Sequence, residues 1–319
     1  MKAASPELSV VLAADRLSTV RRTLRHLREQ SARERIELVL VGPSTAELAL
    51  DAADGEAFWS VEVVESGLDS IVHARAAAIR SAGAPIVVLA ETHSFPDPNW
   101  AASLIAAHRG PWAAVGPAIA NANPDSLISW VNLFLDYGQW VDAPTSGLVT
   151  DLPGHNSAYK RALLLAYGDE LETMLRSEFF LFADLRAKGH ELYLETAART
   201  AHLNVSLPRA WLPERFIAGR VFAAARAETW TTARRVAYCA GAPLIPFVRL
   251  RRTLRHIGRA GRTRELLPQI LPLLGMALFA SAAGEFWGYA FGVGDAAQTY
   301  HKGELHRLPL VTRPERWLS

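Results

Sequence analysis

The sequence predicts an α/β protein: a mostly parallel sheet with helices on both faces, followed by a helical C-terminal region. Up to about residue 120, short apolar runs alternate with longer helical patterns, which is typical of repeated βαβ units. From about Trp211 onward the segments are helical and either apolar or rich in arginine. The chain has 319 residues, of which 50% are apolar and 21% charged. This composition excludes a disordered protein.

Four apolar runs predict the parallel strands, and they cover residues 8–12, 36–41, 61–64 and 86–89. The helical spacing of Val20, Leu24 and Leu27 predicts a helix after the first strand. Ser18 or Thr19 would be the N-cap of that helix. In a sheet of this kind the ligand crevice lies outside the carboxyl ends of the strands. The residues just after the four runs are therefore the first candidates for a binding site.

The composition limits the function classes. A formal net charge of +2 gives no sign of a nucleic-acid partner. The single cysteine, Cys239, excludes an internal disulfide and a cysteine-rich zinc site. The chain has no Gly-x-Gly-x-x-Gly and no Walker loop, so dinucleotide-binding and kinase classes lose their main support. Because the first apolar run is too short for a secretory signal, we expect the N-terminal domain in the cytoplasm.

The C-terminal region has the pattern of a membrane-surface segment. Residues 249–264 carry seven arginines and no acidic residue, with Leu250, Leu254 and Ile257 on one helical face. A basic amphipathic helix of this kind is typical of a segment that lies on an anionic membrane. The apolar run that follows, residues 266–283, reaches the minimum length for crossing about 30 Å of hydrocarbon.

Three features oppose a full crossing by that run. Pro268 and Pro272 interrupt it, and Glu285 would be costly at the bilayer centre. Two crossings would also place the arginine-rich loop outside, against the positive-inside tendency. We therefore expect monotopic or hairpin insertion at the cytoplasmic face of the cell membrane. A buried helical hairpin in a soluble protein is the alternative.

An acidic triplet and a proline-rich segment follow the fourth apolar run, in residues 89–100, LAETHSFPDPNW. In this order and position the segment resembles glycosyltransferase family 2, whose members have the GT-A fold. In that family an Asp-x-Asp triplet holds a divalent metal on the diphosphate of a nucleotide sugar. Glu91 and His93 stand in those two places here, and both side chains bind manganese-like ions. The resemblance thus implies a Mn or Mg site and a nucleotide-sugar donor. By itself, Glu-x-His after a strand is an ordinary polar turn.

The resemblance implies an acceptor-side loop further along the chain. Residues 151–161, DLPGHNSAYKR, are similar to the family's loop, in which a turn of small residues precedes an Ala-x-x-Arg helix start. Gly154, His155 and Asn156 are expected to lie near the acceptor, because glycine and asparagine suit a backbone that approaches a ligand closely. A tight surface turn is the plain alternative.

The resemblance also implies a base and a third metal ligand. Glu178 falls on the second acid of the family's Glu-Asp pair, which is the general base of inverting members and takes the proton of the attacking hydroxyl. His202 ends a stretch in which relatives have a histidine that completes the metal shell. Glu91, His93 and His202 would then form a three-ligand site. The alternatives are a glutamate stabilised by the helix dipole and a histidine that only packs or caps.

Three residues are candidates for donor binding beside Glu91. Asp15 follows the first strand, and Asp69 and Arg75 belong to the third βα unit. Arg75 matches the arginine of the family's Ala-Arg-Asn stretch, and its guanidinium is suited to phosphate. The family's Asp-Asp-Gly-Ser loop, which holds the base, is replaced here by VGPS at residues 41–44.

These observations together predict a GT-A domain over residues 1–207 and a helical, membrane-interacting region over residues 208–319. The implied reaction is inverting transfer of a sugar from a nucleotide diphosphate sugar to a lipid-linked or membrane-proximal acceptor. Two alternatives stay open. One is a catalytically degenerate glycosyltransferase that acts as a membrane-bound binding or scaffold protein. The other is a metal-dependent hydrolase built on Glu91, His93 and His202.

Overall fold

The computed structural model describes residues 5–51 and 55–312, which divide into two compact units. The first unit takes in the described residues up to Ala120 and those from Asp142 to His202, and the second takes in Asn121–Val141 and the described residues from Leu203 onward. The predicted α/β class is confirmed, and the predicted C-terminal apolar helix is present. The segment 121–141, which the sequence analysis assigned to the GT-A domain, groups instead with the C-terminal helices.

The first unit is built on a sheet of nine strands within the described residues. The strands are β1 Leu8–Ala13, β2 Ile36–Gly42, β3 Ser60–Glu65, β4 Ile86–Ala90, β5 Ser94–Pro96, β6 Ala114–Asn121, β7 Gly147–Val149, β8 Ala158–Lys160 and β9 Leu192–His202. Strands β3, β2, β1 and β4 are adjacent in that order and parallel, as the apolar runs predict. The order continues through β8, β6, β9 and β5, and β7 pairs with β9. Strand β8 is antiparallel to both of its neighbours.

Helices cover both faces of the centre of the sheet. The helices of this unit are α1 Leu17–Arg28, α2 Thr45–Leu48, α3 Ile71–Ser81, α4 Trp100–Ala107, α6 Arg161–Leu165, α7 Leu171–Leu175 and α8 Glu178–Ala187. Alternate residues of β1, such as Val10, share a hydrophobic core with α1 and α4. Helix α3 contacts β1 and β2 through residues outside that core. Every residue of β1 and β2 is buried, because both faces are covered.

Helix α1 begins earlier than the sequence predicts. It starts at Leu17 with Arg16 at the N-cap position, so neither Ser18 nor Thr19 caps it. The Thr19 hydroxyl instead donates to the Asp15 carboxylate at 2.8 Å. A side-chain hydrogen bond from the first turn of the helix back to Asp15 is therefore present where the expected side-chain cap is absent.

Two antiparallel pairings bring distant segments to the carboxyl end of β4. Strand β5 pairs with β9 so that Ser94 lies opposite His202. Strand β8 pairs with β4, and just before β8 the backbone N–H of Asn156 donates to the Leu89 carbonyl at 2.8 Å. Both pairings thus end beside Glu91, the first residue after β4.

The second unit is helical. Its helices are α5 Leu127–Tyr137, α9 Pro208–Arg226, α10 Thr232–Gly241, α11 Ile245–Arg259, α12 Thr263–Phe291 and α13 Ala296–Leu305. Helix α9 begins at Pro208, where proline loses no intrahelical bond, and it continues through Pro213. The arginine-rich segment 249–264 is not one helix, because Gly261 has a φ of +71° and separates α11 from α12. Helix α12 continues through Pro268 and Pro272.

Glycines let α9 and α12 approach closely. A Cβ added at Gly284 would lie 2.8 Å from the carbonyl carbon of Phe216, and one added at Gly288 would lie 2.8 Å from the Cβ of Ala223. Small residues at such positions allow two helix backbones to come into contact. Helix α5 packs on α11 and α12, with Phe134 among its buried side chains. This packing explains why residues 121–141 belong to the second unit.

Among the described residues, α12 is the helix that is long and apolar enough to cross a membrane by length and composition. Of its most apolar 18-residue window, 39% is buried inside the protein. Glu285, which sequence reasoning identified as costly in a bilayer, is buried beside Arg249, with Nη1 3.1 Å from Oε1. Part of α12 is therefore a packed helix of the second unit.

Candidate active site

Glu91 is the centre of a polar cluster at the carboxyl end of β4. Its side chain is only 4% exposed. The carboxylate Oε2 accepts hydrogen bonds from the Ser94 hydroxyl at 2.7 Å and from the Asn156 amide at 3.0 Å. The backbone N–H of Glu91 donates to Asn156 Oδ1 at 3.2 Å. Neighbouring side chains therefore hold the carboxylate in one orientation.

Two histidines lie against this carboxylate. His93 Nε2 is 3.9 Å from Glu91 Oε1, and His202 Nε2 is 3.6 Å from Oε2. The two imidazole rings meet edge to face, with centroids 4.9 Å apart. Glu91, His93 and His202 are all buried, and their ligand atoms lie within 4.8 Å of one another. The structure thus brings together the three residues that the sequence analysis assigned to a metal.

The charge state of Glu91 suits cation binding. Burial by itself would raise its pKa, but the charges of His155, His93 and His202 and the bond from Ser94 hold the pKa well below the usual range. The group is therefore ionised at neutral pH, and ionised carboxylate is the form that binds a metal.

His155 lies between Glu91 and Glu178. Its Nε2 is 3.8 Å from Glu91 Oε1, and its Nδ1 is 3.7 Å from Glu178 Oε1. Arg75 Nη2 lies 3.1 Å from the same Nδ1. Arg75 Nη1 is also 4.0 Å from Glu178 Oε1, so arginine and histidine together hold the second carboxylate.

Glu178 is the first residue of α8, and Gly154 makes room for it. A Cβ at position 154 would lie 2.8 Å from the Glu178 carboxyl carbon, so only glycine leaves the carboxylate in its present place. The Glu178 side chain is 26% exposed, against 4% for Glu91. The site thus holds one buried carboxylate among imidazoles and a second that an incoming substrate can reach.

The donor set fits a divalent transition-metal cation. Imidazole suits metals such as zinc, iron and copper, and carboxylate suits manganese and magnesium. Two imidazoles and one carboxylate therefore match manganese better than magnesium, which prefers oxygen ligands and keeps its waters. Three protein ligands also leave positions open for substrate oxygens.

The predicted donor-binding residues have different surroundings. Asp15 follows β1, at the same sheet edge as Glu91, and accepts hydrogen bonds from Thr19 and from Arg16 at 2.9 Å. Asp69 is exposed ahead of α3. Arg75, expected to bind phosphate, is 7% exposed and bonds His155. Its guanidinium therefore already contacts His155 and Glu178 within the site.

Sequence reasoning missed the contacts that organise this cluster. Ser94 was not identified, although its spacing from Glu91 fits a turn in which the Ser94 N–H donates to the Glu91 carbonyl at 3.4 Å. Asn156 was expected at the acceptor, whereas its amide is bonded to Glu91 and Ser94. His155 was placed in the same loop with no contact predicted. The bonds between Asn156 and Glu91 join residues that are 65 positions apart, which local spacing does not reveal.

No family model and no curated protein sequence matches the chain. Among solved structures, it is similar to a mannosyltransferase from Pyrobaculum calidifontis determined with GDP-Man and Mn²⁺, at 17% identity and a TM-score of 0.44, covering 99% of this chain and 84% of that chain. It is also similar to residues 1–349 of S. aureus TarS, at 14% identity and a TM-score of 0.45, covering 92% of each chain. Likenesses of this size decide neither ligand nor activity.

Proposed function

We propose that the protein is a nucleotide-sugar-dependent glycosyltransferase of the GT-A type. The observation that carries the proposal is the joint position of two carboxylates at the carboxyl end of β4. Glu91 lies there with His93 and His202, and Glu178 stands on the other side of His155. A cluster that can hold a cation would serve the leaving diphosphate of a sugar donor, and a carboxylate that substrate can reach would serve the attacking hydroxyl.

In this proposal Glu91, His93 and His202 hold a divalent cation, with manganese favoured over magnesium. When bound, the cation would act as a Lewis acid that neutralises charge on the leaving diphosphate. The chain itself keeps Glu91 ionised and fixed, and buries all three ligands so that water competes less with the donor. Asp15 and Asp69 stay candidates for contacts with the nucleotide part of the donor.

Glu178 is proposed as the general base. A sugar hydroxyl is a poor nucleophile at neutral pH, so a positioned carboxylate must take its proton as the new C–O bond forms. One carboxylate acting as base on the attacking hydroxyl gives single displacement, and hence inversion at the anomeric carbon. The partial exposure of Glu178 and its support by Arg75 and His155 favour this assignment. Gly154 and His155, next to Glu178, would then border the acceptor.

The second unit supports a membrane-proximal acceptor. Most of its large apolar side chains that are 40–70% exposed lie at α11 or on α12: Leu244, Phe247 and Val248 at α11, and Leu271, Met276, Phe279, Phe286, Trp287 and Phe291 on α12. Phe222 on α9 and Val236 on α10 are exposed to a similar degree. The rings of Phe247 and Phe279 lie 6.3 Å apart and join the two sets. Helix α11 has no acidic residue, and its exposed arginines are Arg251, Arg252, Arg255 and Arg259. An apolar face beside exposed positive charge fits the surface of an anionic membrane.

We therefore extend the proposal to monotopic association with the cytoplasmic face of the cell membrane and to a lipid-linked acceptor. Burial of part of α12 within the second unit favours a helix lying in the interface over a free spanning helix. In the alternative, a buried hairpin in a soluble protein, the exposed aromatic side chains would be in contact with water.

The test is a thermal-shift panel of UDP- and GDP-linked sugars on the full chain, with and without Mn²⁺. We expect at least one donor to raise the melting temperature in a manganese-dependent way. Glu91→Ala and His93→Ala should each abolish that response. As a matched control, Glu172→Ala removes an exposed carboxylate from α7 and should leave it intact.

The rival functions predict different results. A degenerate, scaffold-type protein would bind the donor without releasing nucleoside diphosphate when membranes supply acceptors. A hydrolase would turn over its substrate with water alone and without any sugar acceptor. If no donor stabilises the wild-type chain, and Mn²⁺ has no effect, the proposed function is wrong.

A further inference from the structure

Asn156 combines an unusual backbone with a buried amide. Its φ is +65°, in the left-handed region that few residues other than glycine adopt. Asparagine is among the residues that tolerate this region best. The residue is 3% exposed, and its backbone N–H donates to the Leu89 carbonyl at the end of β4 at 2.8 Å. The loop backbone thus points the Asn156 side chain at the residue that follows β4.

The amide of Asn156 contacts Glu91 at two points. Its Oδ1 accepts from the Glu91 backbone N–H at 3.2 Å, and its Nδ2 donates to Glu91 Oε2 at 3.0 Å. The same Nδ2 is 3.1 Å from Ser94 Oγ, and that hydroxyl donates to Oε2 at 2.7 Å. Both side chains therefore bond the same carboxylate oxygen. This fixes the rotation of the carboxylate and directs Oε1 towards His93 and His155.

We propose that Asn156 is a positioning residue for the metal: it sets the Glu91 carboxylate in the orientation that a divalent cation requires, and it is not an acceptor contact. The inference rests on the proposed metal-dependent function. A ligating carboxylate that is free to rotate must be ordered when the cation binds, whereas one that is already bonded is preorganised. Partners of this kind around metal ligands typically change affinity by about 10- to 100-fold when removed.

The experiment is a Mn²⁺ titration of the full chain, with free Mn²⁺ followed by electron paramagnetic resonance and no donor present. In Asn156→Gly the left-handed backbone is retained at no steric cost, so a change in affinity reports on the loss of the amide and not on backbone strain. We expect the dissociation constant for Mn²⁺ to rise by about 10- to 100-fold. The melting temperature of the metal-free variant is measured in parallel.

Two further variants make the result decisive. Ser94→Ala removes the other bond to Oε2 without touching the loop, and it should weaken Mn²⁺ binding as well, even if Asn156→Gly fails to fold. Asp142→Gly is the matched control, because Asp142 is the other non-glycine residue with a positive φ among those described (+45°). Its carboxylate bonds Arg199, so this variant should bind Mn²⁺ like the wild type.

The outcomes separate the inference from the proposed function. If the wild type binds Mn²⁺ and both Asn156→Gly and Ser94→Ala keep its affinity, the positioning role is overturned while the metal site stands. A purely structural role would lower the melting temperature of Asn156→Gly with no change in Mn²⁺ affinity, which also overturns the inference. If the wild type binds no Mn²⁺, the metal-dependent function fails, and the inference fails with it.

Discussion

Replacing Gly284 by alanine tests the close approach of α9 and α12. The added Cβ would lie 2.8 Å from the carbonyl carbon of Phe216 and 3.0 Å from the backbone nitrogen of Arg220, and closer still to the Phe216 carbonyl oxygen. Ordinary van der Waals contact begins at 3.4 Å. Because the opposing atoms are backbone, no side chain can rotate away. The two helices must separate by more than about half an ångström, which forfeits a quarter or more of the attraction at the contact.

The expected cost follows from two opposing effects. Overpacking of this kind costs about 1–3 kcal/mol, and a backbone clash belongs in the upper part of that range. Alanine stabilises a helix by about 0.5–1 kcal/mol relative to glycine, and this gain offsets part of the overpacking cost. The net loss for Gly284→Ala is therefore about 1–2.5 kcal/mol, or a melting temperature lower by roughly 2–10 °C.

Gly275 provides the control on the same helix. A Cβ there meets nothing within 4 Å, so Gly275→Ala should keep the helix-propensity gain and raise the melting temperature slightly. Thermal unfolding of both variants, followed by circular dichroism in one detergent buffer, measures the difference. If Gly284→Ala is as stable as Gly275→Ala, α9 and α12 do not pack backbone to backbone and the reasoning is refuted.

Three further predictions concern the base, the membrane face and acid stability. Glu178→Gln should lower nucleoside-diphosphate release by about 10²- to 10⁴-fold with donor binding retained; turnover near wild type would place the base elsewhere. The double variant Phe247→Ser, Phe279→Ser should float less with anionic liposomes. Leu148→Ser, at a similarly exposed position on β7, should float like the wild type. Equal losses in both variants would argue against a specific membrane-binding face on the second unit. Burial lowers the pKa of His108 from 6.5 to about 4. As the pH falls, the unfolded chain therefore binds a proton at this histidine before the folded chain does. The free energy of unfolding should fall by up to about 3 kcal/mol between pH 6.5 and pH 4. Urea titrations of His108→Gln should show a smaller fall, and an unchanged one would contradict the assignment.

The sheet could be predicted from the sequence because its central strands are buried on both faces. Strands β1, β2 and β4 are therefore apolar apart from Ser9 and Glu37, and their ends agree with the prediction to within a residue or two. The position of Glu91 and His93 followed directly, since both come just after β4. His202 could not be placed by periodicity. It reaches the cluster through the β5–β9 register, and only the resemblance to a family suggested it.

Loop contacts and helix breaks were harder to predict. The bonds from Asn156 and Ser94 to Glu91 depend on how two loops meet, and spacing within either loop does not determine this. In the second unit, proline was given too much weight as a helix breaker. Helix α12 runs through Pro268, and Leu266 and Ile270 on either side of that proline are buried. The break between α11 and α12 comes at Gly261.

The discontinuous second unit determines how a soluble N-terminal fragment could be made. A cut near residue 207 alone would keep α5 but remove α11 and α12, on which it packs, and would expose buried side chains such as Phe134. The residues that flank segment 121–141 lie close together, since the backbone N–H of Asp142 donates to the Ile119 carbonyl at 3.0 Å. A short turn could therefore replace residues 121–141. The two deletions made together, and not either one alone, remove the second unit except for residues 203–207.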